Sequence, residues 1–262
     1  MEWEHEAAKG APAARQQAGA GTGRGDRMDV IDTARHDDRL LMGAERLGPA
    51  RRTLDIAFAL TLLVLLLPLL ALIALLVEAT SGAPVLFRQA RVGAGGREFT
   101  LLKFRSMRQG DGGPEVTCDH DPRVTGLGRV LRRLSLDELP QLWNVLRGDM
   151  TLAGPRPEVP HLAERYPPQC RWVFRYRPGL TGPCQLRSRS YARRLDGRAD
   201  PEEYYLRVLV AQRTEMDAEF LRHATVPRVL VLTLRTLFYV LAATGEGLGR
   251  RRRSRRAEGG GS

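Results

Sequence analysis

At residues 132–146 the chain reads Arg132-Arg133-Leu134-Ser135-Leu136-Asp137-Glu138-Leu139-Pro140-Gln141-Leu142-Trp143-Asn144-Val145-Leu146. Two adjacent carboxylates, Asp137 and Glu138, lie between a pair of arginines and an apolar run. Carboxylates beside arginines are typical of sites that bind phosphate groups together with a divalent metal ion. A long apolar segment precedes this stretch, which indicates that the chemistry takes place at a membrane.

The same carboxylates also have a purely structural interpretation. Ser135 and Glu138 have the spacing of a capping box, and Pro140 is suited to the first turn of a helix. Acidic residues in a first turn also interact favourably with the helix dipole. On these residues alone, the start of a helix is the simpler interpretation.

The surrounding arginines favour a catalytic interpretation. More positive charge lies near the pair than a capping box requires, from Arg123, Arg129, Arg132, Arg133 and Arg156. A helix N-terminus among arginines is an anion site that suits a diphosphate. In such a site one carboxylate could attack phosphorus, while its neighbour holds a divalent cation that neutralises the phosphate oxygens.

The composition narrows the class of partner. The 262 residues suffice for one sizeable core, and the formal net charge of +11 fits a nucleic acid, an anionic membrane surface or a phosphorylated substrate. Lys9 and Lys103 are the only lysines among 41 basic residues, which makes a lysine at position 103 unusual. Cys118, Cys170 and Cys184 have no CxxC spacing, which fits reduced thiols in the cytosol better than disulfide bonds.

The first part of the chain divides into a polar extension and an apolar segment. Residues 1–48 are rich in Ala, Gly, Gln and charge, which predicts a disordered extension. Residues 54–77 carry no charge except that of Asp55. A straight helix of that length would extend roughly 36 Å, which is enough to cross a bilayer.

Two features favour a re-entrant membrane helix over residues 49–80 instead of a span. Pro68 cannot donate a backbone hydrogen bond, so it predicts a kink inside the apolar run. Arginines flank the run on both sides, and a single span cannot place both flanks on the positive side. We therefore expect the helix to enter the cell membrane, bend and return to the cytoplasmic face. An ordinary spanning helix is the alternative.

Residues 81–248 are expected to form a cytosolic domain, followed by a basic flexible tail at residues 249–262. The apolar runs 85–87 and 99–102 flank a glycine-rich stretch, which predicts a β-hairpin. The tail carries six arginines and, next to an amphipathic helix, suits a surface of anionic lipids.

Helical spacing dominates the remainder of the domain. Apolar residues recur at helical intervals from residue 123 to residue 147, and residues 202–222 are a further helix candidate. Residues 226–243 are apolar but interrupted by Arg228 and Arg235, which indicates an interfacial amphipathic helix. The predicted fold class is therefore α/β and mostly helical.

A series of short motifs runs from about Arg51 to Leu237. Together with the mid-helix Pro68, they are Arg52-x-x-Asp55, Phe87-x-Gln89-x-Arg91-x-Gly93, Lys103-Phe104-Arg105-Ser106-Met107, Asp121-Pro122-Arg123, Ser135-Leu136-Asp137-Glu138-Leu139-Pro140-Gln141-Leu142, Gly148-Asp149-Met150, Gly154-Pro155-Arg156-Pro157 and Arg177-Pro178-Gly179-Leu180-Thr181-Gly182. Their order and spacing resemble the bacterial sugar transferase family, the monotopic phosphoglycosyl transferases that begin the assembly of membrane-linked glycans.

The resemblance implies a two-step transferase reaction. An aspartate, Asp137 here, attacks the sugar-bearing phosphate of a UDP-sugar and releases UMP. The phosphosugar then passes from the enzyme to polyprenyl (undecaprenyl) phosphate. Glu138 would be the second catalytic residue and the ligand of a Mg²⁺ cofactor. The product would initiate the assembly of exopolysaccharide, capsule, O-antigen or a glycoprotein glycan.

The resemblance also implies substrate contacts and partners. The residues expected to bind the phosphates or other parts of the substrate are Lys103, Arg105, Arg123, Arg133, Arg156, Arg177, Gln185 and Arg189. The expected partners are the UDP-sugar, polyprenyl phosphate and anionic membrane lipids. No nucleic acid is expected, and a homo-oligomer is left open.

Three positions depart from the family pattern. Leu67 precedes Pro68 where relatives often carry serine, Ser188 replaces a glycine near the presumed nucleotide-sugar site, and Val229 replaces an aspartate. These departures leave the reaction class in place and leave the sugar open. Two other functions also remain open: a non-enzymatic, membrane-tethered basic module that binds nucleic acid or an acidic polymer, and a glycosyltransferase that releases UDP.

Overall fold

A computed structural model of the chain describes residues 48–108, 121–187, 194, 195, 198, 200–236 and 238. The predicted extension before residue 48 and the predicted basic tail lie outside these residues. Within them the protein is mostly helical, as the sequence predicts, and has two small β-sheets, of which only the hairpin was predicted.

Two apolar helices joined by a bend open the described chain. Helix α1 spans Gly48–Leu65, helix α2 spans Leu67–Ser81, and their axes meet at 63°. Pro68 lies in the first turn of α2, where its missing N–H would have no helical partner. The kink that the proline predicts is therefore present. Among the described residues no single helix is long and apolar enough to cross a membrane, but the bent pair reaches that length and hydropathy together.

The bent pair buries one side against the domain and exposes large apolar side chains on the other. Ala59, Ile73 and Val77 are buried. The exposed apolar side chains of the pair are Ile56, Leu60, Val64, Leu65, Leu67, Leu72, Leu75 and Leu76. An apolar surface of this extent marks a contact region for a membrane or another protein.

The predicted hairpin is present and longer than the apolar runs indicated. Strand β1 (Leu86–Val92) pairs antiparallel with β2 (Glu98–Phe104), and Gly95 in the connecting turn has a φ of 69°. Phe87 lies opposite Lys103, Gln89 opposite Leu101, and Arg91 opposite Phe99. Since side chains alternate along a strand, these six residues share one face of the hairpin.

The helical spacing over residues 123–147 does not produce one helix. The segment contains α3 (Gly126–Arg133), a 3₁₀ turn (Leu136–Glu138) and α4 (Gln141–Arg147). Thr125 caps α3 by accepting a hydrogen bond from the Gly128 N–H at 2.9 Å. The capping-box interpretation of Ser135 is wrong, because its side chain caps no helix and its φ of 54° interrupts the helical backbone.

A short parallel sheet and a helical layer complete the domain. Strand β3 (Thr151–Ala153) pairs with β4 (Gly179–Thr181), and the two backbones approach so closely that a Cβ on Gly179 would lie 2.1 Å from the Gly154 nitrogen. The helical elements are α5 (Pro160–Glu164), a 3₁₀ helix (Pro168–Arg175), α6 (Pro183–Arg187), α7 (Pro201–Tyr204), a π-helix (Tyr205–Leu209) and α8 (Val210–Arg222). Residues 226–236 are also helical.

The core connects the bent pair to the elements around the Asp137 turn. One buried cluster joins α1, β2, α4 and β3 through Ala59, Leu101, Leu142, Val145, Met150 and Leu152. A second joins α2, β2 and α3 through Ile73, Val77, Phe104 and Leu131. The apolar helices are therefore packed against the same elements that flank the acidic pair.

Candidate active site

The acidic pair lies in the 3₁₀ turn between α3 and α4. The turn places the Asp137 side chain inside the domain, with 8% of the residue exposed, whereas the Glu138 side chain is 30% exposed. Ser135, two residues earlier, has a left-handed backbone that is uncommon for a residue other than glycine. Strained backbone of this kind clusters at functional sites, and here it immediately precedes the turn that carries the pair.

The Asp137 carboxyl group holds its proton more tightly than an ordinary aspartate. Burial raises its pKa to about 6, and the neighbouring Glu138 carboxylate adds to the increase. The positive charges of Lys103 and Arg132 act in the opposite direction. A carboxylate with a raised pKa is more basic than usual yet still ionised at neutral pH, which suits a nucleophile.

Lys103 reaches the acidic pair from the hairpin. Its Nζ lies 4.9 Å from the centre of the Phe87 ring on the neighbouring strand. Burial lowers the pKa of Lys103 to about 8, and the charge of Arg91 lowers it further, while Asp137 and Glu138 act to raise it. The ammonium group is therefore charged near neutral pH and interacts electrostatically with both carboxylates.

A small cavity with a strongly polar lining lies beside the pair. Its charged lining residues are Arg91, Lys103, Glu138 and Arg156. The rest of the wall is formed by uncharged residues: Leu101, Gln141, Pro157, Gly179 and Leu180. Arg156 Nη1 lies 3.6 Å from Glu138 Oε1. Three cations around one carboxylate leave a net positive charge, so the cavity is suited to a polyanion such as a diphosphate.

Two predicted phosphate ligands lie outside this cavity and have other partners. Arg105 Nη1 donates to the Ala83 carbonyl at 3.1 Å, and its Nη2 donates to the carbonyls of Ser81 and Gly82. This guanidinium thus binds the end of α2. Arg123 forms a 2.6 Å ion pair with Asp121. These contacts favour structural roles for both arginines.

The remaining predicted contacts are spread more widely. Arg133 and Arg177 are exposed, and neither lines the cavity beside the acidic pair. Gln185 on α6 accepts a hydrogen bond from the Cys184 thiol at 2.9 Å. Arg189 lies outside the described residues. The structure therefore brings together Asp137, Glu138, Lys103 and Arg156 from the predicted set.

Three residues near the pair were missing from the predicted contacts. Arg91 and Gln141 line the cavity, and Arg132 lowers the pKa values of both Asp137 and Lys103 through its charge. For Arg91 a signal was present in the sequence, because it has the same strand parity as Phe87, whose partner is Lys103. The signal could be used only once the hairpin register was known.

Magnesium requires few protein ligands when a substrate brings phosphate oxygens. No group of three His, Cys, Asp or Glu side chains in the described part of the chain is arranged to hold a metal ion. Mg²⁺ commonly binds through one or two carboxylates, with waters and substrate phosphates completing its octahedron. Glu138, partly exposed on the cavity wall beside Asp137, fits that requirement.

Comparison with known proteins places this arrangement in a family. The model of the family described as "Bacterial sugar transferase" matches residues 47–243. A *Caulobacter vibrioides* protein named UDP-glucose:undecaprenyl-phosphate glucose-1-phosphate transferase is 41% identical over 192 residues, covering 71% of this chain and 68% of the relative. The exopolysaccharide production protein ExoY of *Rhizobium meliloti* is 35% identical over 217 residues, covering 76% and 88%.

Some relatives are longer than this chain. The *Escherichia coli* K12 protein named UDP-glucose:undecaprenyl-phosphate glucose-1-phosphate transferase is 37% identical over 206 residues, which cover 77% of this chain and 42% of the relative. The family match spans the bent helical pair, the hairpin, the acidic turn and the cavity around it. The chain therefore belongs to the bacterial sugar transferase family.

Proposed function

We propose that the protein transfers a sugar 1-phosphate from a UDP-sugar to polyprenyl phosphate and releases UMP. The observation that carries this proposal is the buried Asp137, whose neighbour Glu138 lines a cavity together with Lys103 and Arg156. Phosphoryl transfer depends mainly on positioning and on neutralisation of charge, and this cavity supplies both. The names of the *Caulobacter* and *E. coli* relatives describe the same class of reaction with UDP-glucose.

In the first step an Asp137 carboxylate oxygen attacks the phosphorus that carries the sugar. A bond forms between this oxygen and phosphorus, while the bond from phosphorus to the oxygen bridging the two phosphates breaks. UMP leaves with the bridging oxygen and its electron pair. The enzyme then carries the sugar phosphate as an acyl phosphate, a mixed anhydride with the Asp137 carboxyl group.

In the second step the acceptor displaces the enzyme from the same phosphorus. An oxygen of polyprenyl phosphate attacks, the bond to Asp137 breaks, and the carboxylate is restored. The product is a polyprenyl diphosphate sugar. Both displacements need the phosphate oxygens held in place, a role for which the positions of Lys103 and Arg156 are suited.

Glu138 is suited to bind Mg²⁺ and to orient the diphosphate relative to Asp137. When bound, the ion supplies positive charge to the phosphate oxygens. The ion pair between Arg156 and Glu138, at 3.6 Å, holds the arginine at the cavity edge. Because Arg156 is 41% exposed, it can move onto an incoming phosphate.

The bent helical pair is proposed to enter the cytoplasmic leaflet of the cell membrane and return. Its exposed apolar side chains are suited to lipid, and the 63° bend permits both ends to reach one surface. Since α1 and α2 pack on the elements around the acidic turn, insertion would place the cavity near the head groups. Polyprenyl phosphate presents its charge at that level.

The proposal is tested by a single-turnover assay without acceptor. The purified protein is reconstituted in nanodiscs and incubated with UDP-glucose, UDP-galactose or UDP-N-acetylgalactosamine, because relatives are named for each of these sugars. We expect one UDP-sugar to give a burst of UMP equal to the amount of enzyme, and Asp137→Asn to give none.

Other products would contradict the proposal in different ways. Release of UDP instead of UMP would indicate a glycosyltransferase. UMP that forms only after acceptor is added would indicate direct transfer without a covalent intermediate. A burst of normal size from Asp137→Asn would assign the nucleophile to another residue.

A further inference from the structure

Arg91 lies on the same face of the hairpin as Lys103 and reaches the same cavity. The register places Phe87, Gln89 and Arg91 on one face of β1, opposite Lys103, Leu101 and Phe99 of β2. Arg91 and Lys103 both line the cavity that contains Glu138 and Arg156. The positive charge of Arg91 acts on this cavity, since it lowers the pKa of Lys103.

Three acceptors fix the Arg91 guanidinium in this position. Its Nη2 donates to Gln89 Oε1 at 2.7 Å, and its Nη1 donates to the Pro157 carbonyl at 3.1 Å. The same Nη1 lies 3.5 Å from Glu158 Oε1. The backbone supports the contact, because the Val92 N–H donates to the Glu158 carbonyl at 2.8 Å.

Residues 156–158 contribute to the cavity in two ways, directly through Arg156 and indirectly through contacts with Arg91. Arg156 is exposed and points toward Glu138, whereas Glu158 is buried and contacts Arg91. One short stretch therefore supplies an arginine to the cavity, together with the Pro157 carbonyl and the Glu158 carboxylate that hold a second arginine of the cavity.

Glu158 is itself fixed by a buried network. Its Oε2 accepts hydrogen bonds from Tyr166 Oη at 2.9 Å and from Tyr205 Oη in the π-helix, and it lies 3.8 Å from Arg213 Nη1. Burial alone would raise the pKa of Glu158, but the charges of Arg213 and Arg91 hold it below its usual range. The carboxylate is therefore ionised and shared by two arginines, which leaves the cavity side with surplus positive charge.

We propose that Arg91 is a further diphosphate-binding cation of the active site and that the buried Glu158 is the positioning residue that holds it there. The inference rests on the proposed function, since it assigns both residues to recognition of the UDP-sugar. Arg91 would grip phosphate oxygens across the cavity from Arg156. Glu158 would act only through Arg91 and would touch no substrate.

The test is a double-mutant cycle on the full chain in nanodiscs. Initial rates of UMP release are measured at saturating polyprenyl phosphate while the UDP-sugar that the unaltered protein uses is varied. Arg91→Gln is expected to lower kcat/KM by about 10- to 100-fold, mainly through KM, as for the loss of a charged hydrogen bond. Glu158→Gln, which keeps an acceptor and removes the charge, is expected to lower it by about 3- to 10-fold.

The combined variant separates positioning from general structural support. If Glu158 acts through Arg91, adding Glu158→Gln to Arg91→Gln should change kcat/KM by less than about twofold. Multiplicative losses in the double variant would overturn the positioning role. An unchanged KM in Arg91→Gln would overturn the substrate contact.

Controls guard against loss of folding and nonspecific charge effects. Arg88→Gln removes an exposed charge from the same strand and is expected to leave KM unchanged, so an equal loss there would also overturn the inference. If Glu158→Gln does not fold, the cycle is run with Glu158→Asp, which keeps the charge on a shorter side chain and must show the same non-additivity. Failure of the unaltered protein to release UMP would reject the proposed function itself. An active protein in which the two losses in kcat/KM multiply in the double variant would reject only this inference.

Discussion

The Asp137 carboxyl group occupies a site that disfavours its own negative charge. It is buried, it adjoins the Glu138 carboxylate, and burial with this neighbour raises its pKa to about 6. Ser135 adds a left-handed backbone two residues before it. Charge burial and backbone strain both reduce stability, and a site that retains both is organised for reactivity at some expense of stability.

Asp137→Asn should therefore abolish turnover and raise stability. Loss of the nucleophile is expected to lower kcat by about 10⁴-fold or more, since an amide has no anionic oxygen to attack phosphorus. A carboxyl group with a raised folded pKa makes the protein less stable as pH rises from its unfolded pKa near 4 to its folded pKa of about 6. The stability gain of the variant should grow over that interval and then level off, at about 1–3 kcal/mol.

Thermal unfolding in detergent over a series of pH values measures this gain. Asp121→Asn is the matched control, because hydrogen bonds from the Arg123 side chain hold the pKa of Asp121 below its usual range and burial only partly opposes them. That variant should lose stability above pH 4. An Asp137→Asn variant that is less stable than the unaltered protein above pH 6 would contradict the assignment of an unfavourable buried charge.

At the residue scale, the sequence predicted which residues form the site better than it predicted where each side chain points. Asp137, Glu138, Lys103 and Arg156 were expected in one site and lie together, because each belongs to a motif with an unusual residue type or spacing. Arg105 resembled them in type but binds the end of α2. The difference depends on the direction of a side chain just after a strand ends, which residue type does not determine.

Polar side chains near the start of α1 connect this helix to the two elements that follow the acidic turn. Arg52 donates to the carbonyls of Val145 and Leu146 at 2.6 Å each, and so caps the end of α4. Asp55 accepts from Thr151 Oγ1 at 2.7 Å and from the Leu152 N–H at 3.0 Å, both on β3. The first apolar helix is thereby fixed in orientation relative to the cavity.

Asp55→Ala should destabilise the protein by about 2–4 kcal/mol, because it leaves the Leu152 N–H and the Thr151 hydroxyl buried without this acceptor. Chemical unfolding in detergent micelles measures the change. Thr53→Ala on the same helix is the control, since Thr53 is exposed and donates only to the Pro49 carbonyl of its own helix. Equal stabilities for the two variants would show that the contacts of Asp55 contribute nothing net.

Pro68→Ala should straighten the bend between α1 and α2. The alanine restores a backbone N–H, so a continuous helix of about 34 residues, roughly 50 Å long, becomes available. We expect single cysteines at positions 50 and 97 to have the same accessibility in the unaltered protein. In Pro68→Ala one of them should cross the membrane.

Labelling with a membrane-impermeant thiol reagent in intact cells reports the topology, in a background without the three native cysteines. Leu69→Ala, next to the proline, is the control and should not change the pattern. Labelling of only one site in the protein that retains Pro68 would show a span and reject the re-entrant arrangement.

Element boundaries show where pattern reasoning reaches its limit. The hairpin and the bend were predicted, because glycines and a proline inside apolar runs have local consequences. One helical pattern over residues 123–147 became three elements, since apolar periodicity does not reveal that Ser135 adopts a positive φ. The π-helix at Tyr205–Leu209 also had no signal in spacing.

Over the whole molecule, the proposed membrane association would draw on two kinds of attraction in different parts of the chain. The apolar helices expose leucines that favour the hydrocarbon interior and carry almost no charge. The net charge of +11 is concentrated in arginines, six of them at positions 250–256 near the end of the chain. Apolar insertion is insensitive to salt, whereas attraction between arginines and anionic lipids is screened by it.

Deleting residues 250–262 should therefore change lipid preference without releasing the protein from membranes. Each arginine near an anionic surface contributes about 1 kcal/mol to binding. When the detergent-solubilised protein is diluted at low salt into vesicles that contain phosphatidylglycerol, the deletion should therefore lower the amount captured by at least about tenfold. Capture by phosphatidylcholine vesicles should not change, because it depends on the bent pair. Replacing the six arginines with glutamine is the matched control for chain length and should reproduce the deletion. Flotation assays measure both, and an equal loss on the two kinds of vesicle would show that the tail acts by something other than charge.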